Sequence, residues 1–190
     1  TMMFNWTMLT CVGEDGVAAV TIIMYVLMFA SSLYTGYSYG VAPMLSFYHG
    51  EQNREKLKKL VALSRKVIGV VSVITVAVSL GLTEPLVSVF ARPEDPVYAL
   101  AVTGNRICTI ALLFIGFNIF ASGMFTALSN GVVSAVLAFS RSFVLMLAAM
   151  IVLPLLLGVN GIWLATPAAE LMALLLSAGM YWKYRKRYGY

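Results

Sequence analysis

Apolar residues along this chain come in long unbroken runs, separated by short polar connectors. Five runs stand out: about Gly16 to Pro43, Val61 to Leu82, Val97 to Thr126, Val132 to Leu157 and Ile162 to Trp182. At ~1.5 Å per residue, each can cross a ~30 Å hydrocarbon layer as a helix. Transmembrane strands are ~10 residues long and alternate strictly, so continuous runs of this length predict helices instead. A shorter stretch, residues 1–12, leans apolar but falls below the ~20 residues a span needs. It reads as the tail of a helix whose beginning is missing, so the chain is expected to be a fragment. The pattern as a whole predicts an all-α membrane protein, a polytopic helical bundle.

The connectors sort the charges. Arg54, Lys56, Lys58, Lys59, Arg65 and Lys66 lie between the first and second spans, and Lys183, Arg185, Lys186 and Arg187 follow the fifth. Four crossings separate the two groups, which puts ten of the 13 basic residues on one side. Glu14, Asp15, Glu84, Glu94 and Asp95 fall in connectors on the other side. The positive-inside rule makes the basic side cytoplasmic, with the carboxy terminus on it, for a multi-pass protein of the plasma membrane.

The most abrupt change of character runs from Gly40-Val-Ala-Pro-Met-Leu-Ser-Phe-Tyr-His-Gly50 into Glu51-Gln-Asn-Arg-Glu-Lys-Leu-Lys-Lys59. Pro43 is expected to distort the last turns of the first span by removing a donor, and Gly50 to permit a turn. Residues 50–66 carry Leu57, Leu60 and Val61 at helical spacing among charges, which predicts an amphipathic helix at the cytoplasmic interface. Glu55 and Lys59 form an i, i+4 pair on it.

Composition reinforces this reading. Of the 190 residues, 61% are hydrophobic and 11% charged, against roughly a quarter charged in an ordinary soluble domain, and the mean hydropathy is +0.88. A net charge of +5 invites a nucleic-acid reading. The basic residues flank membrane exits and match no binding motif, so nucleic acid is not an expected partner. Cys11 and Cys108 lie far apart with no metal-ligand spacing, and both are expected as small buried thiols. The only histidine is His49. No catalytic triad, phosphate-binding loop, dinucleotide fingerprint or metal motif is present, so neither an enzyme nor a metal or organic cofactor is expected.

Small residues mark where helix backbones meet in lipid. Ser32, Gly36 and Gly40 form one such stripe on the first span, and Ala165, Ala169, Ala173 and Ser177 another on the fifth. Both predict packed faces. Among polar residues at depth, Glu170 sits ~12 Å below the outer edge of the last span. It is either a protonation site or a structural acid bonded to a neighbouring helix. Pro167, three residues earlier, frees the carbonyl of Trp163 and makes this helix a flexing element. Asn118 is the deepest amide, a bridge between helices or a cargo contact. Arg106 and Arg141 are expected to snorkel from span ends. Tyr34 and Tyr37 share a face, where they either line an aromatic cavity for flat cations or belong, with Tyr39, to an interfacial belt.

The order of these residues resembles the multidrug and toxic compound extrusion (MATE) family. Gly13-Glu-Asp-Gly-Val-Ala-Ala19 is similar to the outer turn before that family's eighth helix. Gly36-Tyr-Ser-Tyr-Gly-Val-Ala-Pro-Met-Leu-Ser-Phe-Tyr-His-Gly50 is similar to the exit from that helix. Gly161-Ile-Trp-Leu-Ala-Thr-Pro-Ala-Ala-Glu170 resembles the start of the twelfth helix, and Phe120-Ala-Ser-Gly-Met-Phe-Thr-Ala-Leu128 the end of the tenth. The resemblance implies twelve helices in two six-helix lobes, of which this chain is the carboxy-terminal one, from the end of helix seven to helix twelve. It implies exchange of H⁺ or Na⁺ for organic, often cationic, compounds by alternating access. The partners are then membrane lipid, a small organic substrate and the amino-terminal lobe of the same polypeptide. One branch of the family places carboxylates in helices seven and ten of this lobe, whereas the polar residue here in helix ten is Asn118. A lipid-linked saccharide flippase of the same fold and a non-transporting membrane scaffold are the competing readings. The first would need a strongly basic lumen, for which Arg106 and Arg141 are the only deep-lying candidates.

Overall fold

The computed structural model describes residues 2–190. Helix α1 (Met2–Cys11) stops where Gly13 takes φ +91°, a left-handed value that costs glycine nothing, and α2 (Glu14–Gly50) starts at once. Helix α3 (Arg54–Gly81) follows a tight turn, then a short α4 (Thr83–Ser88) that the apolar pattern did not foretell. Helix α5 (Pro96–Cys108) runs through a 3₁₀ turn at Thr109–Ala111 into α6 (Leu112–Ala127). Helix α7 (Gly131–Phe139) runs through a π-helical segment at Ser140–Leu145 into α8 (Met146–Leu157), and α9 (Val159–Tyr188) closes the order. Five of the resulting rods are long and apolar enough to cross a membrane: α2, α3, α5–α6, α7–α8 and α9.

Two expected boundaries move. Helix α2 continues through Pro43 for about two further turns, because a proline removes a single donor and the bonds of the turns on either side remain. The reversal after it falls not at Gly50 but at Gln52, whose φ is +56°. The amphipathic segment is not a separate interfacial helix. Asn53 caps α3 by accepting from the Lys56 N–H at 3.1 Å, and nothing between Lys66 and Val67 breaks the helix. Leu57, Val61, Ser64, Ile68 and Ser72 form one continuous buried face across the supposed junction. The Glu55–Lys59 pair forms at 2.6 Å on the exposed side.

Packing divides into two apolar clusters along the bundle. One gathers Met8, Ile23, Leu27, Ala101, Cys108, Leu112 and Trp163, from α1, α2, α5, α6 and α9. The other gathers Leu45, Leu57, Val61, Phe125, Leu128, Leu137 and Tyr188, at the end where the basic residues lie. Gly104 lets α5 come close to α2 and α9 in the first cluster. A Cβ there would stand 2.6 Å from Ile23 Cδ1 and 2.9 Å from the Trp163 ring. Outward-facing side chains are largely apolar, Leu155, Leu156 and Trp182 among them, as expected of a bundle solvated by lipid.

The small-residue stripes part company. Ala165, Ala169, Ala173 and Ser177 are all buried in the bundle. Ser32, Gly36 and Gly40 are exposed, and neither glycine has another atom within 4 Å of a built Cβ. The opposite side of α2, with Ala30, Tyr34, Ser38 and Leu45, is the packed one. Spacing locates a stripe on a helix but not which way the helix is turned. Cys108 is buried, but Cys11 is exposed at the last turn of α1.

Candidate functional site

Glu170 lies in mid-helix on the α9 face that also carries Thr166, Pro167, Ala169, Ala173 and Ser177, all buried. The small neighbours let α6 and the π segment come close enough to reach the carboxylate. Arg141 Nε donates to both of its oxygens, at 2.8 Å to Oε1 and 2.9 Å to Oε2. Asn118 Nδ2 donates to Oε2 at 2.8 Å and to the Glu170 backbone carbonyl at 2.9 Å. Ser177 Oγ, two turns further along α9, donates to Asn118 Oδ1 at 3.1 Å. Three helices are thus joined by a polar network at the junction of the two apolar clusters. The Glu170 side chain is 11% exposed and that of Arg141 23%.

Local backbone chemistry places these groups. Arg141 sits within the π-helical segment Ser140–Leu145, a widening that occurs mostly in single turns and often at functional sites. Pro167 lacks an N–H, and the Trp163 carbonyl it leaves free accepts instead from the Cys108 thiol at 3.4 Å. Both helices that hold the ion pair therefore carry a weakened turn beside it.

Of the sequence-nominated residues, Glu170, Asn118 and Arg141 come together. Arg141 is a correction: it does not snorkel from a span end but turns inward to Glu170, because a guanidinium at this depth gains more from a buried carboxylate than from stretching to water. Arg106 is exposed on α5 and pairs with Glu84 of α4 at 3.0 Å. Tyr34 does not line an open cavity. It is 2% exposed, packs against Gly116 and donates to the Leu112 carbonyl at 3.2 Å. Tyr37 is half-buried against the second cluster and Tyr39 is exposed.

A second polar group was not foreseen. Ser79 and Thr109 share a hydrogen bond at 2.8 Å, and Asn105 Nδ2 donates to Thr83 Oγ1 at 3.1 Å, all four residues buried. It lies at the start of the 3₁₀ turn. Hydroxyls every fourth residue along the second span were the available signal. An apolar concavity of about 660 Å³ lies between α2, α3 and α4. Tyr25, Phe29, Leu33, Ile74, Val78 and Phe90 are among the residues that line it, and no lining residue is charged. Its Tyr25 and Phe90 rings stack at 6.1 Å.

Five membrane-length rods, packed through small residues around a buried ion pair, define a multi-pass helical membrane protein. The sequence profile of the MatE family matches residues 1–152, and the chain belongs to that family. Among solved structures, it is similar to an outward-facing multidrug resistance MATE family transporter of the MOP superfamily, at 22% identity and TM-score 0.88, over 98% of this chain and 42% of that one. It is likewise similar to a Vibrio cholerae MATE transporter in a bent form, at 18% identity and TM-score 0.89, over 98% and 42%. A MOP superfamily transporter from Pyrococcus furiosus matches at 19% identity and TM-score 0.88, over 98% and 42%. At these identities the likeness is one of fold, and the chain spans about two fifths of the length of those structures. No curated protein matches the chain.

Proposed function

We propose that this chain is the carboxy-terminal lobe of a secondary antiporter that exchanges H⁺ or Na⁺ for organic, cationic drug-like compounds by alternating access. Its amino-terminal lobe would be supplied by the same polypeptide, and its carboxy terminus would lie in the cytoplasm beneath a plasma membrane. The observation that carries the reading is the Glu170 carboxylate, held by Arg141 and Asn118 between three helices of a MatE-family fold.

The carboxylate already has a cation in Arg141, so a coupling ion would engage Glu170 only in exchange for the guanidinium. Such an exchange would uncouple the π segment from α9. The weakened turns at Ser140–Leu145 and Pro167 give both helices the slack to move apart. Ion binding can drive the lobe between two packings only through such a difference in contacts between them. For cargo, the stacked Tyr25 and Phe90 and the charge-free wall around them suit flat apolar bodies, and aromatic faces also attract cations.

The flippase reading has less support within this chain, since Arg106 and Arg141 are both paired with acids. The test is Glu170→Gln in the full-length protein, reconstituted in vesicles with an imposed ion gradient. Gradient-driven efflux should fall by at least tenfold while expression and folding hold. Unchanged efflux would remove Glu170 from coupling and favour the scaffold role for this network.

A further inference from the structure

At the end of the bundle where the basic residues gather, the last turn of α2, the first turn of α3 and the tail of α9 border an open cavity of about 350 Å³, with Arg54 and Arg187 exposed at its walls. That is within the size range of small-ligand sites, ~300–1,000 Å³. Arg54 and Arg187 line it together with the His49 imidazole, the Gln52 amide and the Tyr48 and Tyr188 rings, and Leu57 completes it. No carboxylate lines it. Glu51 and Glu55 are adjacent in sequence, but Glu55 is engaged by Lys59 at 2.6 Å and Glu51 is not among the lining residues. Among the described residues, no acid lies within 4.0 Å of the Arg54 or Arg187 guanidinium, although the Arg106 and Arg141 guanidinia are both paired.

The walls are held in place. The Tyr188 ring meets His49 edge to face at 5.5 Å, and its hydroxyl accepts from Asn130 Nδ2 at 3.0 Å. The Arg187 guanidinium stands 5.6 Å from the centre of the same ring. Gly189, with φ +78°, turns the chain against Arg54, so close that a Cβ would stand 2.7 Å from Arg54 Cδ. The amino terminus of α3 opens on the same space and adds the positive end of a helix dipole.

We propose that this cavity binds the phosphate group of an anionic phospholipid headgroup. Guanidinium groups match phosphate oxygens in fork geometry, and a basic pocket between helix ends at membrane-surface depth is where headgroups lie. The site is separate from Glu170 and independent of the transport reading.

The test uses the purified protein in neutral detergent, titrated with dioleoyl phosphatidic acid or dioleoyl phosphatidylcholine, with bound lipid followed by native mass spectrometry. Phosphatidic acid should bind the unaltered protein more tightly. The Arg54→Gln/Arg187→Gln pair should weaken it about tenfold or more, from ~1 kcal/mol per basic residue near the surface. Lys58→Gln, an exposed cation on α3 outside the cavity, should leave binding unchanged and serves as the control. His49→Gln gives a second, milder probe and should weaken binding to a smaller extent without removing a basic side chain from the helix tail. Equal loss in the Lys58 variant would make the effect one of general surface charge and overturn the site. No loss in the arginine variant, with its fold intact, would also overturn it. Displacement of phosphatidic acid by millimolar inorganic phosphate would assign the pocket to free phosphate and overturn the lipid assignment, whereas retention supports it.

Discussion

Replacing Arg141 by methionine keeps most of the volume and removes the cation that faces Glu170. The carboxylate would then rely on one donor, Asn118 Nδ2, in a position 11% exposed. Stripping one partner from a fully buried ion pair costs ~3–5 kcal/mol, and because water still reaches the 23% exposed Arg141 side the lower part applies, about 2–4 kcal/mol. For a chain of this length each kcal/mol lowers the melting temperature by about 2–4 °C, so Arg141→Met should lower it by roughly 5–15 °C. Removing both charges is different. In the Arg141→Met/Glu170→Leu pair, Asn118 still donates to the backbone carbonyl of residue 170, which it reaches at 2.9 Å. That pair should recover to within about 1 kcal/mol of the parent, because a buried ion pair and an apolar pair of similar volume are often of equal stability. The assay is tryptophan fluorescence during heating in one detergent at one scan rate and one pH, with all four members of the cycle measured together. A single Arg141 variant as stable as the parent, or a double variant no better than the single one, would refute the reasoning that the pair is a desolvated, mutually dependent unit.

Two glycine substitutions offer a matched comparison. Gly104→Val places a Cβ 2.6 Å from Ile23 and 2.9 Å from the Trp163 ring, so overpacking should cost about 1–3 kcal/mol in the same heating assay; an unchanged melting temperature would mean that α2, α5 and α9 are not in that contact. Gly36→Ala has open space around it and should be neutral or stabilising by up to ~1 kcal/mol through helix propensity alone. A clear loss of stability in this chain would show that the Ser32–Gly36–Gly40 face is covered. The transport effect of Glu170→Gln and the lipid effect of Arg54→Gln/Arg187→Gln complete the set.

The helical rods and the segregation of basic from acidic connectors were legible in the linear sequence because both are additive properties. A span needs only enough consecutive apolar residues, and a topology needs only a count of charges between them. Asn118 and Glu170 could be nominated for the same reason: a polar group deep in an apolar run is costly wherever the helix points. Partner choice is not additive. Arg141 could have snorkelled, and its union with Glu170 depends on a π turn that rotates one helix and on small residues that let another approach. The rotation of α2 follows the same logic, since only packing decided that Tyr34 would be buried while Gly36 and Gly40 faced outward. The basic cavity beside Tyr188 depends on tertiary structure most of all. Its arginines lie more than a hundred residues apart, and three helix ends had to converge before their charges could share one space.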